Sequence, residues 1–299
     1  MATLSPEMPK SDDRKSSKDV VAKLNYVGEM HDRAVYDIRN PAGSNIVWDT
    51  RDVTIHDVRP HLDKFTMDTQ GFAFVKLPSK FAENPELFEG NRKARHFVTD
   101  DSLDVQYAQE ICDYIQNMTG ARDVFPRLGG LVMRTSTRAS AEKAAWAPPA
   151  EFVHLDFAPQ AMQGWIDKTL AAKPRDLKPY SRVQLFQAWR CISPGPQDNT
   201  LAICDGDTVS SDDKVIVDSM TGDPSIPGNR WDSRMCHYSP DHRWYYMPDM
   251  EPDDLVLFKG YDSDVPDAMN AMHSAFQNPL GQTGVPRKSI EARILAFYD

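Results

Sequence analysis

Cysteine is scarce in this chain of 299 residues: Cys112, Cys191, Cys204 and Cys236 are the whole set, and no two stand as C-x-x-C. That excludes a disulfide framework and a thiolate zinc site, and it fits free thiols in a reducing compartment. No apolar run approaches the roughly 20 residues a membrane helix needs, and residues 1–19 lack the apolar core of a signal peptide. The expected location is the cytoplasm, away from any membrane. Gly-rich phosphate loops and internal repeats are also missing. Positive charge is in deficit, with 34 Lys and Arg against 44 Asp and Glu for a net charge of -10, so a sequence-independent grip on nucleic-acid phosphates is not expected.

With 40% apolar residues, the chain can bury a substantial core. Residues 1–22 are predicted to be a disordered tail, rich in Ser, Lys, Asp and Pro, and 23–299 a single domain. A Gly-led strand at 71–77 precedes a helix over 101–118, in which Ala108, Ile111, Cys112 and Ile115 form one apolar stripe. From about 129 onward short strands punctuated by Pro, Gly and Asp dominate, at 131–135, 152–157, 183–192, 201–204, 214–218, 244–247, 255–259, 272–276 and 289–298. That order suits a barrel or sandwich and not a βαβ array. The predicted fold is therefore mainly β with flanking helices, its core barrel spanning approximately 129–299. Helical spacing at 156–173, with Met162, Trp165, Ile166 and Leu170, predicts either a lid or an ordinary packed helix.

One local pattern carries chemistry. In Glu151-Phe152-Val153-His154-Leu155-Asp156-Phe157 the period of two puts Phe152, His154 and Asp156 on one strand face, so a single strand end offers an imidazole and a carboxylate to one ion. A second H-x-D, His61-Leu62-Asp63, follows the Pro-interrupted stretch Asp57-Val58-Arg59-Pro60 and lacks that setting. Among the later histidines His237 and His242 sit in a loop-like segment, whereas His273 is followed by Arg287-Lys288-Ser289. Two histidines and one carboxylate occupy one face of an octahedral Fe(II) and leave the opposite face open for a keto acid and O2.

Arginine suits the far carboxylate of 2-oxoglutarate, because its planar fork donates two parallel hydrogen bonds and a neighbouring hydroxyl can add a third. Period two places Arg287, Ser289, Glu291 and Arg293 on one face of the last strand. Arg287 with Ser289 is the preferred clamp; Arg293 is the alternative, or else a partner of Glu291. The two arginines stand roughly 20 Å apart along an extended strand, too far to share one small acid. Trp165, Trp244 and Tyr246 are candidates for a substrate wall, since aromatic residues line ligand pockets as well as cores.

The segments Phe186-Gln187-Ala188-Trp189-Arg190, Pro194-Gly195-Pro196-Gln197-Asp198-Asn199-Thr200-Leu201-Ala202, Cys204-Asp205, Phe258-Lys259-Gly260-Tyr261-Asp262-Ser263 and Arg287-Lys288-Ser289-Ile290-Glu291-Ala292-Arg293 resemble the fungal gibberellin desaturase-like family, which also takes in the bacterial cephem 7-alpha-methoxylase component. The resemblance runs from about Leu24 to the C-terminus. It implies a double-stranded β-helix (jelly-roll, cupin-like), Fe(II), 2-oxoglutarate and O2, and a small natural-product-like substrate that is hydroxylated or desaturated. Trp189 and Arg190 join the candidate substrate contacts on this ground. One departure is Cys191, where the family has proline. A metal-dependent cupin-like enzyme without a keto acid would leave Arg287 and Ser289 without a role, and a non-catalytic partner barrel would not need all three ligands.

Overall fold

Alternation of side chains across strands organises this molecule. The structure is a computed structural model that describes residues 17–38, 40–84, 103–127, 131–137, 146–173, 179–221, 225, 229–267, 270–281 and 285–299. In β1 (Val20–Val27), Val20, Ala22, Leu24 and Tyr26 face inward while Val21 and Lys23 are exposed. This strand pairs with the polar β3 (Trp48–Asp57) in the nine-stranded sheet. From there the order runs through β12 (Trp244–Tyr246), β9 (Asn199–Cys204), β14 (His273–Gln277), β7 (His154–Leu155), β11 (Arg230–Cys236) and β10 (Lys214–Met220) to β2 (Ala34–Asp37).

The second sheet has six strands. Its order is β4 (Phe72–Lys76), β13 (Asp254–Asp262), β8 (Arg182–Cys191), β15 (Lys288–Tyr298) and β5 (Asp123–Pro126), with β6 (Val132–Thr135) also pairing with β15. β8 and β15 are paired along nearly their whole length, and they sort their side chains cleanly. Phe186, Ala188, Ile192, Ile290, Ala292, Ile294 and Ala296 pack in one cluster with the buried stripe Tyr107, Ala108, Ile111, Cys112 and Ile115 of α1 (Leu103–Thr119). The opposite faces, with Trp189, Gln187, Arg287 and Glu291, turn toward the nine-stranded sheet. Two curled sheets face each other in a jelly roll, the double-stranded β-helix.

Several expectations need correction. Val20, Ala22 and the residue between them belong to β1 and not to a tail, and the barrel does not start near 129, because β1, β2 and β3 complete the larger sheet. The N-terminal part of the tail, residues 1–16, the helix start at 101–102 and position 129 lie outside the described residues. The strand expected over 152–157 is reduced to His154 and Leu155. Pro148 and Pro149 before it and Pro159 after it remove ladder donors and steer the backbone away. α2 (Pro159–Ala171) follows at once and packs Met162 and Ile166 with Phe157, Leu185 and Phe297, so it is an ordinary packed helix. No helix among the described residues is long and apolar enough to cross a membrane.

Candidate metal and cosubstrate site

His154 and His273 meet because β7 and β14 run antiparallel with these two residues in register. Their ring centroids lie 4.3 Å apart. Each Nδ1 lies against the carbonyl oxygen two residues upstream, Phe152 O at 2.8 Å for His154 and Ala271 O at 3.0 Å for His273. A carbonyl only accepts, so Nδ1 carries the proton and Nε2 keeps its lone pair for a metal. Asp156 completes the group just beyond the end of β7. One donor atom from each of the three residues lies within 4.8 Å of the others, and His154 Nε2 is 4.0 Å from a carboxylate oxygen of Asp156.

Protonation states suit a cation. Burial, reinforced by His273, pushes the His154 imidazole down to about 3, so it is neutral at physiological pH. Burial works to raise the Asp156 carboxyl, but Arg293, then His273 and His154, outweigh it and hold it well below the usual carboxylate range. Arg293 donates from Nη2 to Asp156 Oδ2 at 2.9 Å and from Nε to Glu291 Oε1 at 2.7 Å. Gln187 donates from Nε2 to that same Asp156 oxygen and also reaches Glu291 at 3.2 Å. Gly260 leaves room for this amide, since a Cβ there would come within 2.6 Å of Gln187 Oε1. Asp156 Oδ2 is thereby committed to the protein, and Oδ1 is the oxygen nearer His154 Nε2 that could meet an ion. Arg293 is anchored to these two carboxylates, its Glu291 contact being the pairing expected from the shared strand face.

A partly open pocket joins the three donors to Arg134, Arg287 and Glu291. Its apolar lining comes from Trp189, Leu201 and two alanines. Arg287 is 1% exposed. Its Nη1 donates to Asn199 Oδ1 at 3.0 Å, and its Nε is buried with no partner among the described residues. Burial pushes this guanidinium down to about 10, still cationic at neutral pH. Its carbon sits 5.7 Å from the Trp189 ring centroid. A buried cation with an orphaned donor, beside two imidazoles and a carboxylate, fits a keto acid whose far carboxylate needs a cationic partner. Ser289 follows on the same strand face but does not itself line the opening.

Not every candidate converges here. His61 and Asp63 are exposed on a 3-10 turn. His237 Nδ1 bonds Val27 O, and His242 lies against Asp213. Of the proposed substrate contacts only Trp189 lines the opening. Arg190 points to the α1 side of β8, where its Nη1 donates to Leu77 O and Pro252 O, because neighbours on a strand face opposite ways. Trp244 is fully buried and donates to Tyr26 Oη at 2.8 Å, and Tyr246 packs edge-on to Phe276 in the same cluster. Trp165 stacks on the Arg127 guanidinium at 4.1 Å on α2. Sequence reasoning missed Arg134, Gln187 and Asn199. Gln187 shares the inward face of β8 with Trp189, a signal available from period two, whereas Arg134 is brought in only by the pairing of β6 with β15.

Comparison with known proteins agrees with this geometry. The family model described as "Oxidoreductase/YMDC permease-like domain" matches residues 24–297. The chain belongs to this family. Among its curated relatives, the hydroxylase/desaturase efuI of Hormonema carpetanum is 28% identical over 95% of this chain and 96% of its own length. The gibberellin cluster GA4 desaturase of Gibberella fujikuroi is 22% identical over 82% of this chain and 86% of its own, which bears out the expected resemblance. A solved structure of the iron and alpha-ketoglutarate-dependent endoperoxidase NvfI superposes with a TM-score of 0.76 and 26% identity, covering 94% of this chain and 98% of that one. Fold, donor set and relatives together make the chain an Fe(II)- and 2-oxoglutarate-dependent oxygenase.

Proposed function

We propose that His154, Asp156 and His273 hold the Fe(II), that Arg287 clasps the far carboxylate of 2-oxoglutarate with Ser289 beside it, and that the enzyme hydroxylates or desaturates a small, largely apolar natural-product-like molecule. The observation that carries this reading is the in-register pair His154 and His273 opening onto a buried arginine that has no anionic partner among the described residues. The iron, with 2-oxoglutarate and O2, supplies the oxidation, releasing succinate and CO2. The protein's own share is positioning. Gln187 and Arg293 hold Asp156 in one orientation, the two backbone carbonyls fix both imidazole tautomers, and Asn199 presents Arg287 to the acid. Trp189 and Leu201 keep the opening apolar, which strengthens the Arg287 ion pair by excluding water. Four buried, unpaired thiols fit a reducing compartment such as the cytoplasm.

Anaerobic mixing with Fe(II) and 2-oxoglutarate tests the reading directly. The visible charge-transfer band of an iron-chelated keto acid is the expected result. A folded protein that gives no band would sink it in favour of a metal enzyme without a keto acid.

A further inference from the structure

An aromatic surface leads from solvent to the metal donors. Phe152 stands two residues before His154 and lies 4.7 Å from its ring, centroid to centroid. Tyr36 from β2 packs 4.8 Å from Phe152, and Trp48 at the start of β3 packs 5.9 Å from it. Phe152 and Tyr36 are half-buried, and Trp48 is 42% exposed. Three rings gathered beside a metal site with one face left in water are unlike the covered aromatics of the core.

Arg134 adjoins this surface. It lines the opening, its backbone stands opposite Ser289, and it is near enough to the Tyr36 hydroxyl to act on it electrostatically. Its Nη1 donates to the neutral carbonyl of Pro148 at 2.7 Å. No carboxylate lies within ion-pair distance of it among the described residues; Glu291 and then Asp156 act on it electrostatically, while their hydrogen bonds go to Arg293 and Gln187. The keto acid has two carboxylates, one for the metal and one for Arg287. Arg134 is thus a cation beyond what the cosubstrate requires.

We propose that Tyr36, Trp48 and Phe152 form the wall against which a flat apolar substrate lies, and that Arg134 takes a carboxylate of that substrate. The proposal rests on the functional reading above and narrows its substrate class to ring-containing carboxylic acids. A guanidinium beside aromatic rings selects this combination, because the rings gain area by burial and the acid gains a charge-assisted hydrogen bond in a place shielded from water.

The test uses the protein loaded anaerobically with Fe(II) and 2-oxoglutarate, titrated calorimetrically with 2-naphthylacetic acid and with its methyl ester. The acid should bind at least about 10-fold more tightly than the ester, a difference of about 1.4 kcal/mol. Arg134→Gln should remove that preference while leaving the ester affinity and the keto-acid concentration for half-maximal charge-transfer band unchanged, and Arg134→Lys should restore part of it. Trp48→Ala should weaken both probes. An Arg134→Gln defect confined to 2-oxoglutarate would overturn the proposal by making Arg134 part of the cosubstrate site. Equal affinity for acid and ester in the parent protein, or no binding of either probe, would overturn it as well. Loss of the band in the parent protein with probe binding intact would instead overturn the functional reading and leave the wall and its arginine standing.

Discussion

His154 and His273 are direct cross-strand neighbours, and each has its Nδ1 tied to a backbone carbonyl. Neither ring can turn without breaking a hydrogen bond, so Nε2 of both stays aimed at the same point. This is a pre-organised donor pair of the kind that raises metal affinity through fixed orientation. His273→Ala should therefore abolish the charge-transfer band and turnover while the far-ultraviolet circular dichroism stays that of the parent. The His61→Ala variant should retain both, since His61 lies exposed on a distant turn. The opposite pattern would mean that the other H-x-D binds iron.

Acid should destabilise the metal-free protein through the same residues. His154 is held neutral, its value pushed down to about 3 from an ordinary 6.5. Between those values the unfolded chain binds the proton that the folded chain refuses, so stability falls as pH drops below about 6.5, by up to about 1.4 kcal/mol per unit. The lowered Asp156 carboxyl acts in the same direction at lower pH, where the unfolded carboxylate takes a proton first. Urea titrations at pH 7.5 and 5.5 should show this loss, and His154→Gln should flatten it. A variant that keeps the full slope would place the acid sensitivity elsewhere.

Much of this arrangement was legible in the sequence, for reasons that differ residue by residue. Alternation marked β8, β14 and β15, and it put Arg287, Glu291 and Arg293 on one face. The pair His154 and Asp156 was visible because two candidate ligands at period two need only one strand end, even though that strand shrank to two residues. β11 was missed because its arginines and aspartate look like a loop. In the fold Arg230 and Arg234 pair with Asp218 and Asp267, and Asp232 pairs with Arg33. Arg190, taken with Trp189 from the resemblance, could not share its side because strand neighbours face opposite ways, and Trp244 was misread because composition does not say which aromatics line a pocket and which fill a core. Arg134 was beyond reach, since only a pairing distant in sequence brings it to the site.

Arg190 should prove a stability residue. Its Nη1 closes two carbonyls, Leu77 O and Pro252 O, inside the layer between β8 and α1. Arg190→Ala strands those acceptors, and each buried orphan costs about 1 to 3 kcal/mol. The expected result is a fall in denaturation midpoint with no change in the keto-acid requirement of the folded fraction. A raised 2-oxoglutarate requirement at unchanged stability would return Arg190 to the active site.

Arg287, immediately before β15, and Arg293 within it should fail in different ways. Among the described residues the Arg287 side chain has one neutral hydrogen-bond partner, Asn199, and an orphaned Nε, so its charge is available for an acid. Losing a charge-assisted pair of that kind costs about 2 to 5 kcal/mol, so Arg287→Ala should raise the 2-oxoglutarate requirement at least about 30-fold with iron binding retained. Arg287→Lys should recover part of this, because a point charge replaces the fork. Arg293 instead neutralises Asp156 and Glu291, both largely buried. Its removal takes from both carboxylates the cation that is hydrogen-bonded to them, a change worth about 3 to 5 kcal/mol in a buried pair. Arg293→Ala should accordingly lower the denaturation midpoint of the apoprotein and weaken metal binding, and saturating Fe(II) should restore much of the lost stability by supplying the missing positive charge. Should Arg293→Ala raise only the keto-acid requirement, with stability and metal affinity unchanged, Asp156 would not depend on it and the division of labour along β15 would be wrong.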